Sequence, residues 1–284
     1  MALFTSSAAG LLRPEEISAL VIEPLKDAST ALAVSTNVST QSTAFRIPSV
    51  VADPAGGWYQ EGANIDLSDA EIAETIVVPT KLAVLSKISN ELAADSSPAA
   101  ASVVGQGMAR DIARKVDSAF FGNTVANGPS GLLSLEDVQT VAGGDLDNLD
   151  PFAECMSKLE AVGSEATSFV CSATDGLHLS QLKTFDGVTQ SNQPLLESDP
   201  AKPTKRRIFG VPLHVVPDGI IEPGVIWALD RAKLFTVIRQ DVTLEVDSSV
   251  FFASDSLAVR AILRIGFGHP HEPAIVKMTW GSSS

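Results

Sequence analysis

The chain has 284 residues, of which 45% are hydrophobic and 19% are charged, and its 34 acidic and 20 basic side chains give a formal net charge of −14. A chain of this size folds as one large domain or two smaller ones. The acidic excess argues against a general nucleic-acid-binding surface, because each neutralised phosphate needs a lysine or an arginine. A charge or a proline breaks every apolar run before about 18 residues, so no membrane span is predicted.

The N-terminal segment, residues 1 to about 44, is rich in serine, threonine and alanine. Pro14 followed by Glu15 and Glu16 predicts a short helix, because proline fits the first turn and acidic side chains stabilise its positive end. The stretch 35–43 has too few large apolar side chains to bury itself. We therefore predict an arm that packs on something else.

The next segment, residues 45–80, has β-rich ends and a polar, glycine-containing middle, which predicts a long hairpin or loop. Trp58 and Tyr59 form an exposed-looking pair in the middle. Residues 47–80 contain no lysine or arginine, but they contain the acids Asp53, Glu61, Asp66, Asp69, Glu71 and Glu74. This run fits a solvated acidic face and a surface that meets a basic partner equally well.

A helix is predicted from Pro98, capped by Ser97, to about Phe121. A row of apolar residues every four positions gives it one buried stripe: Val104, Met108, Ile112, Val116 and Phe120. The other side carries basic residues: Arg110, Arg114 and Lys115. At about 1.5 Å per residue the helix is a rod of roughly 36 Å, which is long for one globular domain.

The remainder combines helices and strands. Asp150 is predicted to cap a helix with Pro151 at its first position, and a short strand (SFVCS) and a second short helix follow. After Gly210 the sequence predicts strands, the clearest being SLAVRAILRIGF, in which apolar residues alternate strictly. The class is therefore α+β. Cys155 and Cys171 are interpreted as buried reduced thiols.

No convincing catalytic signature is present. His269, His271 and Glu272 could offer ligands to a metal, although the neighbouring prolines favour a strand connection. A second cluster joins Lys202 and Lys205 to Arg206 and Arg207 in a loop. It fits a solvated loop, a nucleic-acid patch, or a surface that receives the acidic hairpin of a neighbouring subunit, a role that the Arg110, Arg114 and Lys115 face could also perform.

The order of these pieces resembles the major capsid proteins of tailed bacteriophages, which have the Hong Kong 97-like fold. The likeness is carried by WYQEG at 58–62, LSDAEIAETIVVPTKLAVLSKISNELAADS at 67–96, KVDSAFFGN, GPSGLL at 128–133, IFGVPLHVV at 208–216, WALDRAKLFTVIRQDVTLEV and FFASDSLAVRAILRIGFG. It covers nearly the whole chain. It implies a structural protein with no enzyme activity and no cofactor, whose hexamers and pentamers form an icosahedral head around double-stranded DNA.

The resemblance also implies a domain division and a set of contacts. It predicts an N-terminal arm (1–44), an extended loop (45–80), a peripheral domain (81–144 and 251–284, with a spine helix at about 98–121) and a mainly axial domain (145–250). The predicted subunit-interface residues are Trp58, Tyr59, Glu61, Asp66, Asp69, Arg110, Arg114, Lys115, Lys205, Arg206 and Arg207.

The expected partners are further copies of the chain, a portal, a separate scaffolding protein, decoration proteins and packaged DNA bound without sequence specificity. Met1 lies directly ahead of the arm, so scaffolding is expected from another protein or is dispensable. The expected location is the virion, after assembly in the host cytoplasm. An encapsulin-like nanocompartment shell is the alternative, and a metal-dependent enzyme using His269, His271 and Glu272 is the less favoured one.

Overall fold

The computed structural model describes residues 29–89 (except 53, 55, 63, 65, 66, 68 and 70), 99–185, 190–196 and 206–281. The α-helices in these ranges are α1 (Thr30–Val34), α2 (Ala99–Phe121), α3 (Asp150–Ala161) and α4 (Ala173–Gln181). The strands are β1 (Thr36–Ser39), β2 (Phe45–Ala52), β3 (Glu71–Val77), β4 (Thr80–Ser89), β5 (Gln139–Ala142), β6 (Ser168–Ser172), β7 (Lys183–Phe185), β8 (Gln190–Pro194), β9 (Arg207–Ile208), β10 (Val211–Val216), β11 (Val225–Leu229), β12 (Phe235–Phe251), β13 (Ser256–Gly268) and β14 (Ile275–Thr279). The predicted helix at Pro14 lies outside the described residues.

Helix α2 packs on a four-stranded sheet in the order β1-β12-β13-β4. Met108, Ile112, Val116 and Phe120 are all buried, which confirms the predicted stripe for the part of the helix whose side chains are described. The opposing apolar residues come from β13, whose alternation puts Ala261, Leu263 and Ile265 on the helix side. A 23-residue helix and two long antiparallel strands thus build an elongated layer.

A six-stranded sheet, in the order β5-β14-β11-β6-β10-β9, forms the middle layer of the protein. Successive residues of β11 point to opposite faces, so Trp227 and Leu229 join the core under α2 while Ile226 and Ala228 join a second core with α3 and α4. Both cysteines are buried thiols, as predicted, and burial raises the pKa of each to about 12.

The sheets do not follow the domain boundaries expected from the sequence. Strand β12 was expected in the axial range 145–250, but it pairs with β13 in the sheet on α2. Strands β5 and β14 were expected in the peripheral ranges, but they lie in the six-stranded sheet. The cause is long-range pairing, which local sequence patterns do not specify.

The segment 29–39 does not behave as the arm predicted from its composition. Ala31, Leu32 and Val34 of α1 are buried in the body of the same chain, and β1, whose residues are half-buried or exposed, pairs in parallel with β12. Asp117 of α2 holds the start of α1: its carboxylate accepts hydrogen bonds from Ser29 Oγ (2.7 Å), Ala31 N (2.9 Å) and Thr30 N (3.1 Å). Small side chains can therefore be buried by a partner element that supplies both apolar surface and a hydrogen-bond acceptor.

Two local predictions are also corrected. Helix α3 begins at Asp150 itself, with Leu149 as the N-cap residue, and Asn148 Oδ1, not the Asp150 carboxylate, accepts the hydrogen bond of the first helical N–H (3.0 Å). The sequence predicts three short strands, LFTVIRQ, VTLEV and VFF, between 234 and 252, but the structure has one strand, β12, whose pairing with β13 is interrupted by register shifts. None of the described helices is long and apolar enough to cross a bilayer.

Candidate functional site

A projecting hairpin is the main feature that the body of the protein leaves uncovered. Strands β2 and β3 form a two-stranded antiparallel ribbon, which confirms the hairpin predicted from the sequence. Cross-strand partners share a face, so Val50 and Ile72 lie together on one side, where they are 56% and 66% exposed. Ile76 and Val78 are 55% and 60% exposed. Glu74 lies between Ile72 and Ile76 on this face and Arg46 lies opposite Ile76, so the face mixes exposed apolar side chains with one ion pair, and no element of the described chain covers it.

The root of the hairpin is fixed to the body by close packing. Ile47 and Val77 are buried against Val237. They fit there because β13 has glycine at two positions: a Cβ on Gly268 would lie 2.6 Å from Ile47 Cδ1, and one on Gly266 would lie 2.8 Å from Val77 Cγ1. The sequence prediction did not include this requirement, although the two glycines of the GFG triplet, on the outward positions of β13, were its visible signal.

The tip of the hairpin carries the residues predicted to contact a neighbour. Trp58 is fully exposed, and Tyr59, Glu61 and Asp69 are exposed as well. Asp66 lies outside the described residues. On the outward face, Arg46 and Glu74 form an ion pair of 2.9 Å, so the excess negative charge of the hairpin comes from acids nearer its tip.

The basic residues predicted to receive such a hairpin lie on two different elements. Arg110, Arg114 and Lys115 are exposed on α2. Arg206 and Arg207 are exposed at the start of β9, and Lys205 lies outside the described residues. The structure therefore leaves both groups accessible.

The residues considered for a metal do not form a ligand set. His269 is buried beside the ring of Phe120, and burial lowers its pKa to about 4. Glu272 accepts a hydrogen bond from the backbone N–H of Asp137 (3.0 Å). No group of three potential metal-ligating side chains occurs among the described residues, which include His269, His271 and Glu272. The metal hypothesis for this trio is wrong.

A cleft of about 780 Å³ opens between α3 and the β9–β10 turn. It is lined by apolar side chains such as Met156 and Phe209 and by the carboxylates of Glu160 and Glu165. Phe209 is 55% exposed and has a φ of 51°, a left-handed conformation that a bulky residue seldom adopts. The cleft offers no histidine, cysteine or serine nucleophile among its lining residues.

In the body of the protein the polar groups make structural contacts within the chain. On the hairpin, apolar side chains face outward. A family model, described as the phage capsid family, matches residues 9–280. The chain belongs to the phage capsid family. It is therefore a structural protein of a phage capsid shell, as the resemblance implied.

Solved structures agree with this assignment. The chain is similar to a protein of Microbacterium phage Oxtober96 (20% identity, TM-score 0.71, covering 89% of this chain and 91% of the other). It is also similar to one of Mycobacterium phage Adephagia (16%, 0.72, 90% and 91%) and to the capsid of an empty GTA particle (19%, 0.71, 99% and 96%). At these identities the likeness establishes the fold, which confirms the Hong Kong 97-like prediction. No curated protein sequence matches the chain.

Proposed function

We propose that this phage capsid protein assembles into hexamers and pentamers that close an icosahedral head around double-stranded DNA. The observation that carries the proposal is the hairpin, whose root is rigidly packed while Val50, Ile72 and Ile76 remain exposed on its outer side. Exposed apolar side chains grouped on one face of a projection mark an interaction surface. A head-to-tail contact made by such a projection closes into a ring and repeats over a shell.

The proposed roles of the structural elements follow those of the phage capsid family. Residues 45–80 act as the extended loop that reaches a neighbouring subunit, and α2 acts as the spine of a peripheral domain. The six-stranded sheet with α3 and α4 belongs to an axial domain near the local symmetry axis of each capsomer.

The proposed partners are other copies of this chain, a portal, a separate scaffolding protein and decoration proteins, within a virion assembled in the host cytoplasm. The packaged DNA is held without sequence-specific contacts. A net charge of −14 supports this, because an acidic wall repels the phosphate backbone and does not adhere to the genome.

The acidic tip provides the test. Reversing Glu61 and Asp69 together, as Glu61→Lys with Asp69→Lys, places positive charges where the hairpin is expected to meet basic side chains. We expect the yield of closed shells to fall at least about tenfold, while the isolated subunit keeps its unfolding transition, because both side chains are exposed. Negative-stain microscopy and sedimentation measure the shells, and circular dichroism measures the subunit.

The matched control reverses two exposed acids outside the hairpin, Asp145→Lys with Asp147→Lys, and changes the net charge by the same amount. This control should assemble normally. Shells of normal yield from the hairpin variant, or an equal loss in the control, would contradict a specific role of the hairpin. A wild-type chain that stays a small oligomer under every assembly condition would contradict the shell itself.

A further inference from the structure

The exposed face of α2 is basic, although the chain as a whole is acidic. Arg110, Arg114 and Lys115 are exposed on this face, and Asp111 is the one exposed acid among the described side chains of the helix. None of the ion pairs within the described part of the chain involves these three cations. Their charge is therefore available to a partner outside the chain.

A glycine lies on the same face at a position where no packing within the chain requires it. Gly107 precedes Arg110 by about one helical turn and Arg114 by about two. A Cβ at Gly107 would meet no atom nearer than Arg110 Nη2, 3.9 Å away. Because glycine destabilises the interior of a helix relative to alanine, the fold alone does not account for it. Glycine does allow a partner to approach the helix backbone closely.

The rest of this face of α2 is polar. Gln106 and Ser118 are exposed at its two ends, and none of the large exposed apolar side chains of the described chain belongs to the helix. Protein–protein interfaces bury an apolar or aromatic core, which this face does not supply. Phosphate groups need only cations and hydrogen-bond donors, and arginine binds them in a bidentate manner. The face therefore fits a phosphate backbone better than it fits another protein.

We propose that this face of α2, with Arg110, Arg114 and Lys115 around Gly107, contacts phosphates of the double-stranded DNA enclosed by the shell. The inference rests on the proposed function and assigns the DNA contact to particular residues. Arg110 and Arg114 are about 6 Å apart along the helix axis, which is close to the axial rise of two phosphates on one strand. With three cations the contact is weak and independent of base sequence, so a wall built from chains of net charge −14 stays non-adhesive overall.

Two other basic surfaces differ from this one in composition. On the face of the four-stranded sheet opposite α2, Lys81 and Lys87 are exposed on the same strand as Leu85, which is 62% exposed. Arg207 lies two residues from Phe209, which is 55% exposed. Both surfaces combine charge with apolar area, as protein-binding surfaces do. Lys81 and Lys87 therefore provide a control pair of equal charge for the DNA contact.

Binding of a fluorescent duplex of about 30 base pairs to the isolated subunit, measured by anisotropy at about 20 mM salt, tests the contact. Arg110→Glu with Arg114→Glu should weaken binding at least about tenfold and reduce the slope of log affinity against log salt by about two. The control, Lys81→Glu with Lys87→Glu, changes the net charge equally and should weaken binding less than about threefold. Equal losses in the two variants, or no measurable binding by the wild-type subunit, would overturn the inference.

Gly107→Ala tests the close approach of the DNA backbone to the helix. Alanine has the higher helix propensity, so the unfolding midpoint of the subunit should stay equal or rise. The affinity for the duplex should nevertheless fall about threefold, because the added methyl group holds the phosphates farther from Arg110 and Arg114. Gly56→Ala, the same change on the hairpin, should leave the affinity unchanged. An unchanged affinity in Gly107→Ala would overturn the proposed geometry.

The proposed function and the DNA contact fail in distinguishable ways. If the wild-type chain forms no shell but the arginine variant loses affinity for the duplex, the proposed function fails and the DNA-binding face stands. If shells form and the arginine variant binds the duplex as the wild type does, the proposed function stands and the DNA contact is wrong. A loss of assembly in that same variant would then show that α2 contacts a protein instead. Circular dichroism of each subunit excludes loss of folding as the cause.

Discussion

Two neighbouring segments, 29–39 and 45–77, differ in where their side chains are buried. The first has mostly small or polar side chains, yet Ala31, Leu32 and Val34 are buried in the body of its own chain and β1 pairs with β12. The second carries larger apolar side chains, yet several of them face outward. Hydrophobicity read along the chain therefore does not say which molecule buries a segment. Burial depends on whether the body of the protein has a complementary site for the segment. Asp117 on α2 provides such a site for α1, and the glycines of β13 provide one for the root of the hairpin but not for its outer part.

This contrast separates the free energy of folding of the subunit from the free energy of assembly. Interactions of segment 29–39 stabilise the folded subunit, whereas the contacts proposed for the outer hairpin would stabilise only an assembly. Substitutions in the body should thus change the free energy of unfolding of the subunit, and substitutions at the hairpin tip should change shell yield alone. Each prediction below tests one side of this separation.

The largest effect on the unfolding free energy of the subunit is expected at acid pH, where the buried His269 is protonated on unfolding. His269 is buried with its Nε2 unpaired, and burial lowers its pKa from 6.5 to about 4. The unfolded chain binds a proton more readily in this range, so the subunit should lose about 3 kcal/mol of unfolding free energy as the pH falls from about 6.5 to 4.

The measurement is denaturant unfolding of the subunit at a series of pH values, compared with His269→Phe, which cannot titrate. Other groups, such as Asp117, are common to both proteins and cancel in the difference. The difference between the two proteins should be constant above about pH 7 and change only below it. Parallel curves down to pH 4 would contradict the assigned burial of the imidazole.

A smaller effect is expected at the attachment of segment 29–39. Asp117→Ala leaves Ser29 Oγ and the N–H groups of Thr30 and Ala31 without their acceptor in a buried site. We expect the unfolding free energy to fall by about 2 kcal/mol, because unsatisfied buried donors keep their desolvation penalty. Asp111→Ala, on the exposed side of the same helix, is the control and should stay within about 0.5 kcal/mol of wild type. If the two variants were equally stable, Asp117 would not hold segment 29–39 to the body, and the prediction of a loose arm would stand.

The sequence predicted those elements whose signal is local. The stripe from Met108 to Phe120 is periodic enough to define α2, and the β-rich ends around a polar middle define the hairpin. The parallel pairing of β1 with β12 joins Thr36 to Phe235, so no local pattern could indicate it. The burial of α1 beside Asp117 likewise depends on contacts distant in the sequence, which is why composition alone misassigned segment 29–39.

The candidate site was likewise predictable only where its residues are close together in the sequence. The acidic run and Trp58 are visible in the sequence and mark the hairpin as an interaction element. The basic groups at Arg110 and at Arg206 are visible too, because their members are close in sequence. The seat of the hairpin root is not, because Gly268 and Ile47 become neighbours only through the fold.

The smallest change in subunit stability is expected at the hairpin root, where the two kinds of energy meet. In Gly268→Ala, the new Cβ would lie 2.6 Å from Ile47 Cδ1 and 2.7 Å from Val77 Cγ2. These are side-chain ends that can shift, so we expect a loss of about 1 kcal/mol in unfolding free energy, measured by denaturant titration. The hairpin would then leave the body at a different angle, so shell yield should fall more than stability does.

Gly56→Ala is the matched control for the root, because a Cβ on Gly56 has no atom within 4 Å and the same chemical change occurs on the same hairpin. It should leave the unfolding transition of the subunit unchanged. If Gly268→Ala also left both stability and shell yield unchanged, the root would not fix the direction of the hairpin. If it lowered both in proportion, the hairpin would be a stabilising part of the body, and its contrast with segment 29–39 would disappear.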